Sequence, residues 1–202
     1  MTTSPLIGVL ALQGDVKEHE VALQAVGAHT IRVGSAEDLS GISGLVIPGG
    51  ESTTMSNLAI RAGLFEPLRS ASSAGLPMYG SCAGMIMLAD RVTDARPDQQ
   101  TIGGLDVTVR RNAFGRQVDS FEIDLDVPVV GMTPFKAVFI RAPLVESTGP
   151  EVEVLSILRR DGAAGTIVAV RQGVRLATSF HPELTGDTRI HDLFVQIVRQ
   201  HS

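Results

Sequence analysis

Residues 80–84 read Gly-Ser-Cys-Ala-Gly and hold the only cysteine among 202 residues. Leu76-Pro77-Met78-Tyr79, just before, is short and mostly apolar, as at the end of a buried strand. Met85 to Ala89, just after, reads as a helix. Glycine two positions before and two after a nucleophile is the pattern of a nucleophile elbow. That sharp strand-to-helix turn needs small neighbours and lifts the central side chain clear of the sheet. Cys82 would sit at a helix N-terminus, where the helix dipole favours thiolate over thiol. The alternative role for a lone cysteine is a small buried hydrophobe.

The strands and helices around the elbow repeat in alternation. Ile7 to Leu12 reads as a buried strand ending at Gln13-Gly14, followed by a helix over 15–26. Thr30 to Val33 and Gly44 to Ile47 are further short strands, the second stopped by Pro48-Gly49-Gly50. Ser52 or Thr53 is expected to cap a helix running to about Ala62, and 65–73 is helical again. Such alternation predicts a parallel sheet with helices on both faces. After Asp90 the pattern changes. Residues 94–100 are polar and read as a loop. Strands are then expected over 105–109, 118–125, 137–140, 152–158, 166–170 and 174–179, with a turn at Asp161-Gly162. A last helix over 187–200 places Ile190, Leu193, Phe194, Ile197 and Val198 on one face. The expected fold class is α/β: a mainly parallel sheet flanked by helices, with an antiparallel strand extension, in one domain over 1–202.

Composition narrows the partners. A formal charge of −5 and a 44% hydrophobic content point neither to nucleic acid nor to an anionic membrane. One cysteine forms no internal disulfide, and no Cys/His cluster has metal-ligand spacing. Leu6 to Leu12 is apolar but short and lacks a basic leader, so it reads as a first strand and not a signal peptide. No apolar run reaches the roughly 18 residues of a membrane span. A cytoplasmic enzyme is the expectation.

A second motif completes the chemistry. Ser179-Phe-His-Pro-Glu-Leu184 follows an alternating run, which places His181 at a strand end with Pro182 stopping the ladder. Glu183, two residues on, is close enough to bond the imidazole nitrogen facing away from the cysteine. A cysteine nucleophile needs a base, and the base needs a third group to fix its tautomer and stabilise the imidazolium. Cys82, His181 and Glu183 supply all three. Read in isolation, the histidine and glutamate would be a cap and a solvated carboxylate.

Pro48-Gly49-Gly50-Glu51-Ser52-Thr53 lies where a strand end meets a helix start, with backbone N–H groups to offer. Ala83, after the nucleophile, gives one N–H for a tetrahedral oxyanion, and Gly50 is the candidate for the second. Without a Gly-Lys-Ser/Thr ending, the loop is no P-loop. Arg111, opening the polar cluster 111–117, and Arg141, in Phe139-Ile140-Arg141-Ala142-Pro143, are each candidates for a bidentate grip on a substrate carboxylate. A surface salt bridge is the other reading of either. His19, His29, His191 and His201 show no partner pattern and read as ordinary polar residues. Asp15, Glu18 and Glu20 read as a solvated helix face.

The elbow cysteine with a downstream His-x-Glu resembles a class I (triad) glutamine amidotransferase domain. Further motifs narrow the resemblance: Gly8-Val-Leu-Ala-Leu-Gln-Gly14, Pro48-Gly-Gly-Glu-Ser-Thr-Thr54, Arg111-Asn-Ala-Phe-Gly-Arg-Gln117, Phe139-Ile-Arg-Ala-Pro143 and Ser179-Phe-His-Pro-Glu-Leu-Thr185. In order, and along nearly the whole chain, these are similar to the family of glutaminase subunits of pyridoxal 5′-phosphate synthase. The resemblance implies hydrolysis of L-glutamine to glutamate and ammonia, with no metal or organic cofactor. It implies a partner, the (β/α)8-barrel synthase subunit, which joins the ammonia to a pentose 5-phosphate and glyceraldehyde 3-phosphate. It implies Cys82 as nucleophile and His181 and Glu183 as its relay. Gly50, Glu51, Ser52, Arg111, Ile140 and Arg141 would line the glutamine site. It further implies a subunit poorly active until docked, and Gln13, at the end of the first strand, is the expected link between partner and oxyanion loop.

Three alternatives would each leave a different pattern. A cysteine hydrolase or deglycase of the same superfamily uses a carboxylate near the first strand, where this chain has Gln13. A non-catalytic regulatory subunit would have no need of an intact triad. A Cys-type α/β hydrolase places its acid before its histidine, whereas Glu183 follows His181.

Overall fold

The computed structural model describes residues 4–111, 120–159 and 165–201. The first half alternates as expected. Strands β1 (Leu6–Leu10), β2 (His29–Val33), β3 (Gly44–Ile47) and β4 (Met78–Ser81) are connected through helices α1 (Val16–Ala25), α2 (Ser52–Arg61) and α3 (Phe65–Ser73). The elbow then opens α4 (Ala83–Leu88). The second half is mostly strand: β5 (Ala89–Thr93), β6 (Leu105–Arg110), β7 (Ser120–Leu125), β8 (Phe135–Ile140), β9 (Leu144–Thr148), β10 (Glu153–Leu158), β11 (Thr166–Gln172) and β12 (Arg175–Thr178). Helix α5 (Arg189–Gln200) closes the chain.

Among the described residues the main sheet has ten strands in the order β2-β1-β3-β4-β12-β11-β9-β6-β5, with β10 paired to β11. The pairings from β2 to β12 are parallel, and those of β11 with β12, β10 and β9 are antiparallel. Strands β7 and β8 form a separate antiparallel hairpin. This is the parallel sheet with an antiparallel extension that the sequence predicts.

Period-two alternation sorts the side chains of β4 between two cores. Tyr79 joins the residues of α1, α5 and the β7–β8 hairpin. Met78 joins those of α2, α3 and α4. Helices therefore cover both faces, and the carboxyl ends of β1, β3, β4 and β12 emerge side by side. The order β2-β1-β3-β4 reverses direction at β1, and ligands of open α/β sheets bind outside the strand ends at such a switch point.

Four local expectations change. The cap of α2 is Glu51, whose carboxylate accepts from the N–H groups of Thr53 and Thr54, one residue upstream of the expected Ser52 or Thr53. Strand β5 follows α4 without a loop and was not expected, because Asp90 and Arg91 give an edge strand a polar sequence. Strand β9 was not expected either; its exposed Glu146 and Ser147 break the apolar pattern. Strand β12 stops at Thr178, so His181 stands beyond the ladder, at the start of a short 3-10 turn over Pro182–Leu184. The turn expected at Asp161-Gly162, the first residues of the strand expected from Val118, and Asn112 to Gln117 lie outside the described residues.

Candidate active site

Cys82 has φ 49° and ψ −103°, a positive φ that costs any residue but glycine. Its two glycine neighbours make the turn possible. A Cβ on Gly80 would strike the Gly84 carbonyl, and a Cβ on Gly84 would strike the Ile47 carbonyl at the end of β3. The Cys82 N–H donates to the Thr178 carbonyl of β12 at 2.8 Å, which anchors the elbow between two strands. The thiol sulfur lies 3.8 Å from the Ile140 carbonyl, and the side chain also interacts with His181.

His181 is buried, and its backbone N–H donates to the Val138 carbonyl of β8 at 2.9 Å. The β7–β8 hairpin thus fixes the base from one side. On the imidazole, Nδ1 lies 2.7 Å from Glu183 Oε1 and 3.4 Å from Asp15 Oδ2. Burial by itself would lower the proton affinity of this ring. Hydrogen bonds with Asp15, Cys82 and Glu183 outweigh it and raise the pKa to about 12. Burial raises the pKa of Glu183, against the pull of His181. These shifts oppose each other across one contact. The ion pair is the form the geometry favours, because two carboxylates face a single ring nitrogen.

Asp15, His181 and Glu183 each bring one ligand-type atom within 4.8 Å of the others. A cation there would need the Nδ1 lone pair, and the hydrogen bond to Glu183 keeps that nitrogen protonated. The cluster is suited to holding a proton.

The glycine loop is wedged against the base. A Cβ on Gly49 would strike the His181 ring, and one on Gly14 would strike the Gly49 carbonyl. Gly50 has φ 151°, and a Cβ there would come within 2.6 Å of the Gln13 amide oxygen. That oxygen accepts from the Glu51 N–H at 2.8 Å. Strand β1 stops at Leu10, short of the expected Leu12, so it is the segment after it, at Gln13, that is bonded directly to the loop expected to carry the oxyanion donor. Ala83, the other expected donor, is buried at the start of α4.

Glu51, Ser52 and Arg111 come together at the start of α2. Glu51 Oε1 is 2.9 Å from Arg111 Nη2, Arg111 Nη1 donates to Gln99 Oε1 at 2.7 Å, and Gln99 Nε2 donates to Ser52 Oγ at 3.1 Å. Two guanidinium nitrogens of Arg111 are thus engaged within the protein. Arg141, at φ 42°, is exposed just beyond β8 and has no ion pair among the described residues. Ile140, beside it, points its carbonyl at Cys82.

Four residues escaped the sequence reading. Asp15, read as solvated, reaches His181. Gln99, in an expected surface loop, bridges Ser52 and Arg111. His19 and His191, read as ordinary polar residues, are 0% exposed and lie 2.9 Å apart, Nδ1 to Nε2. Two patterns carried a signal for them. Asp15, just before α1, is one turn from His19, and His191 sits within the apolar face of α5 beside Ile190.

Comparison with known proteins agrees with this geometry. The model of the "SNO glutamine amidotransferase family" matches residues 9–200. A protein of Kineococcus radiotolerans named "Pyridoxal 5'-phosphate synthase subunit PdxT" is 61% identical over 199 residues, covering 98% of this chain and 96% of its own. One of the same name from Rhodococcus jostii is 60% identical over 199 residues, covering 98% of each. A crystal structure described as a glutamine amidotransferase superposes with a TM-score of 0.85 at 46% identity, covering 95% of this chain and 98% of its own. With an elbow cysteine, a buried His-Glu pair and near full-length similarity in sequence and fold, the chain belongs to the SNO glutamine amidotransferase family.

Proposed function

We propose that Cys82, His181 and Glu183 carry out the glutaminase reaction of this glutamine amidotransferase, and that its ammonia goes to a (β/α)8-barrel synthase subunit making pyridoxal 5′-phosphate. The Cys82 thiolate adds to the side-chain amide carbon of L-glutamine. The oxyanion takes hydrogen bonds from the Gly50 and Ala83 N–H groups. As the intermediate collapses, the C–N bond breaks and His181 gives its proton to the departing ammonia, leaving a thioester. His181 then takes a proton from water as it attacks the thioester; the C–S bond breaks, glutamate leaves and the Cys82 thiolate and protonated His181 are restored. Glu183 holds the ring with its reactive nitrogen toward the sulfur and offsets its positive charge. Glu51, Ser52, Ile140 and the two arginines form the glutamine pocket, with Arg141 the better placed to meet the substrate carboxylate.

The observation that carries this reading is the 2.7 Å contact of His181 Nδ1 with Glu183 Oε1, on a ring that also faces the elbow cysteine. The partner reading is supported by the names of the relatives, which are synthase subunits. No helix among the described residues is long and apolar enough to cross a membrane. A reducing cytoplasm suits a nucleophile that must remain a free thiol. The whole chain acts as one glutamine amidotransferase domain.

The test is glutamate release from glutamine by wild type and Cys82→Ala, each with and without the synthase. Turnover by wild type and none by a folded Cys82→Ala is the expected result. Retained turnover in the variant would remove Cys82 from the mechanism.

A further inference from the structure

The triad carboxylate has a second oxygen. Glu183 Oε1 engages His181, whereas Oε2 is buried and has no partner at hydrogen-bond distance. The nitrogen facing it is His19 Nε2, at 3.5 Å, with both side chains 0% exposed. The same nitrogen lies 3.2 Å from the Ser81 hydroxyl, in the elbow itself. On its other side His19 Nδ1 meets His191 Nε2 at 2.9 Å. A continuous polar path therefore runs from α5 through α1 to the back of the triad.

The proton positions along this path follow from the groups at its ends. Burial lowers the pKa of His19 well below its ordinary value, and His191 and His181 add to the effect. Burial brings His191 down to about 4. Both rings are neutral at pH 7, so each has one N–H and one bare nitrogen. In one arrangement His191 Nε2–H donates to His19 Nδ1, and His19 Nε2–H is left for Glu183 Oε2 and Ser81. In the other, His19 Nδ1–H donates to His191. A bare Nε2 would then oppose a buried carboxylate, and His191 Nδ1–H would be buried with no partner. His191 Nδ1 has no partner in either arrangement, so what separates them is the bare nitrogen against a buried carboxylate, a penalty that the first avoids. Tyr79 lies edge-on to both rings, with centroids 6.0 and 5.9 Å away, and its hydroxyl bonds Thr178 at 2.9 Å. Burial holds its pKa well above 10, so it adds no charge to the path.

We propose that His191 and His19 form a neutral donor relay that holds the back oxygen of Glu183 and keeps the carboxylate ionised and aimed at His181. They are positioning residues and touch neither substrate nor thiol. The proposal rests on Glu183 being the third member of the triad. It assigns a task to two histidines from opposite ends of the chain, and it couples the packing of α5 against α1 to the strength of the catalytic base.

Two measurements test it. In the 15N-labelled wild-type protein at neutral pH, NMR should show His19 and His191 both as the Nε2–H tautomer. A His191 carrying its proton on Nδ1 would overturn the relay with no variant needed. In the complex with synthase, His19→Leu should lower kcat about three- to tenfold with KM nearly unchanged, the scale of one ordinary hydrogen bond, because the contact with Glu183 is long. The alkaline limb of its kcat/KM profile should move to lower pH, because a less supported Glu183 stabilises the His181 imidazolium less. His19→Gln, which restores an N–H donor, should recover most of the rate. A folded His19→Leu with unchanged kcat and pH profile would overturn the proposal. So would a His19→Gln no better than His19→Leu. If His19→Leu does not fold, the tautomers of the wild type decide. Turnover persisting in Cys82→Ala would instead remove the triad reading on which the relay rests.

Discussion

Two glutamates frame the site, and their surroundings are opposite. The Glu51 side chain is 48% exposed, and that of Glu183 is 0% exposed. For Glu51, burial raises the pKa, but donors from Thr54 and Thr53 overcome it and bring it to about 2. For Glu183, burial prevails and the pKa rises, even with His181 at 2.7 Å. The difference lies in the donors. A helix start offers Glu51 fixed backbone N–H groups, and Arg111 adds a full charge. Glu183 has His181 and a single backbone N–H, its own, against a much larger burial. A carboxylate that organises a substrate loop is thus made permanently anionic, whereas one that tunes a base is kept in a dry site where each hydrogen bond counts for more.

The sharpest way to break this contrast is to neutralise the buried member. Glu183→Gln keeps the shape but removes the charge facing His181. Turnover should fall by roughly 10²–10⁴, the upper end being the loss seen when a triad acid becomes an amide in other enzymes. Steady-state glutamate release with synthase present measures it. A wild-type rate would hand the third role to another group, with Asp15, 3.4 Å from the ring, the first candidate.

The front of the site is expected to respond to its partner. Gln13 Oε1 bonds the Glu51 N–H, and its amide also blocks any side chain at position 50. If docking acts through this contact to point the Gly50 N–H at the oxyanion, turnover without synthase should be roughly 10²–10³-fold lower, the cost of one such donor. Gln13→Ala should fold normally and be activated poorly. Titration with synthase tests both. Equal rates with and without synthase would refute the coupling, and normal activation of Gln13→Ala would refute only the role of that side chain.

The two arginines should separate. Arg141→Ala should raise KM about tenfold or more with little change in kcat, the loss of a charge-assisted contact of about 1.5–3 kcal/mol. Arg111 already pairs with Glu51 and Gln99, so Arg111→Ala should also lower stability. Wild-type KM in both would give these loops a docking or structural role.

The smallest effect is at Glu51 itself. Glu51→Ala removes an N-cap and should cost about 1 kcal/mol, a Tm shift of about 2–4 °C in a chain of this size. The sign of its pH dependence follows from its lowered pKa. The stabilisation from the carboxylate is present above about 4.5 and is lost as pH falls through about 2. The Tm difference between wild type and variant should therefore shrink on acidification over that window. A difference that grows there would contradict the assigned charge state.

Local pattern was enough to read the elbow. Gly80 and Gly84 are demanded by backbone carbonyls within a few residues or on the neighbouring strand, so their spacing carries the turn. The pairing of His181 with Glu183 was readable for the same reason, since two residues on one short turn can hardly avoid each other. The parallel half of the sheet followed from strand–helix alternation, and the family motifs carried the rest of the expected pocket. Strands β5 and β9 escaped because edge and half-exposed strands lack an apolar period.

Only the tertiary structure decided what stands behind the triad. His19 and His191 are 172 residues apart. No spacing along the chain relates them, and each looks like a single polar residue on an otherwise ordinary helix. They meet because β1, β3, β4 and β12 lie side by side and leave α1 and α5 packed on the same face. The sequence determines which side chains could serve as nucleophile, base and orienter, since those roles depend on chemical type and local turn. Burial and long-range contact determine which carboxylate is dry, which imidazole stays neutral and which proton points at which oxygen, because those are properties of the packed interior and of no segment by itself.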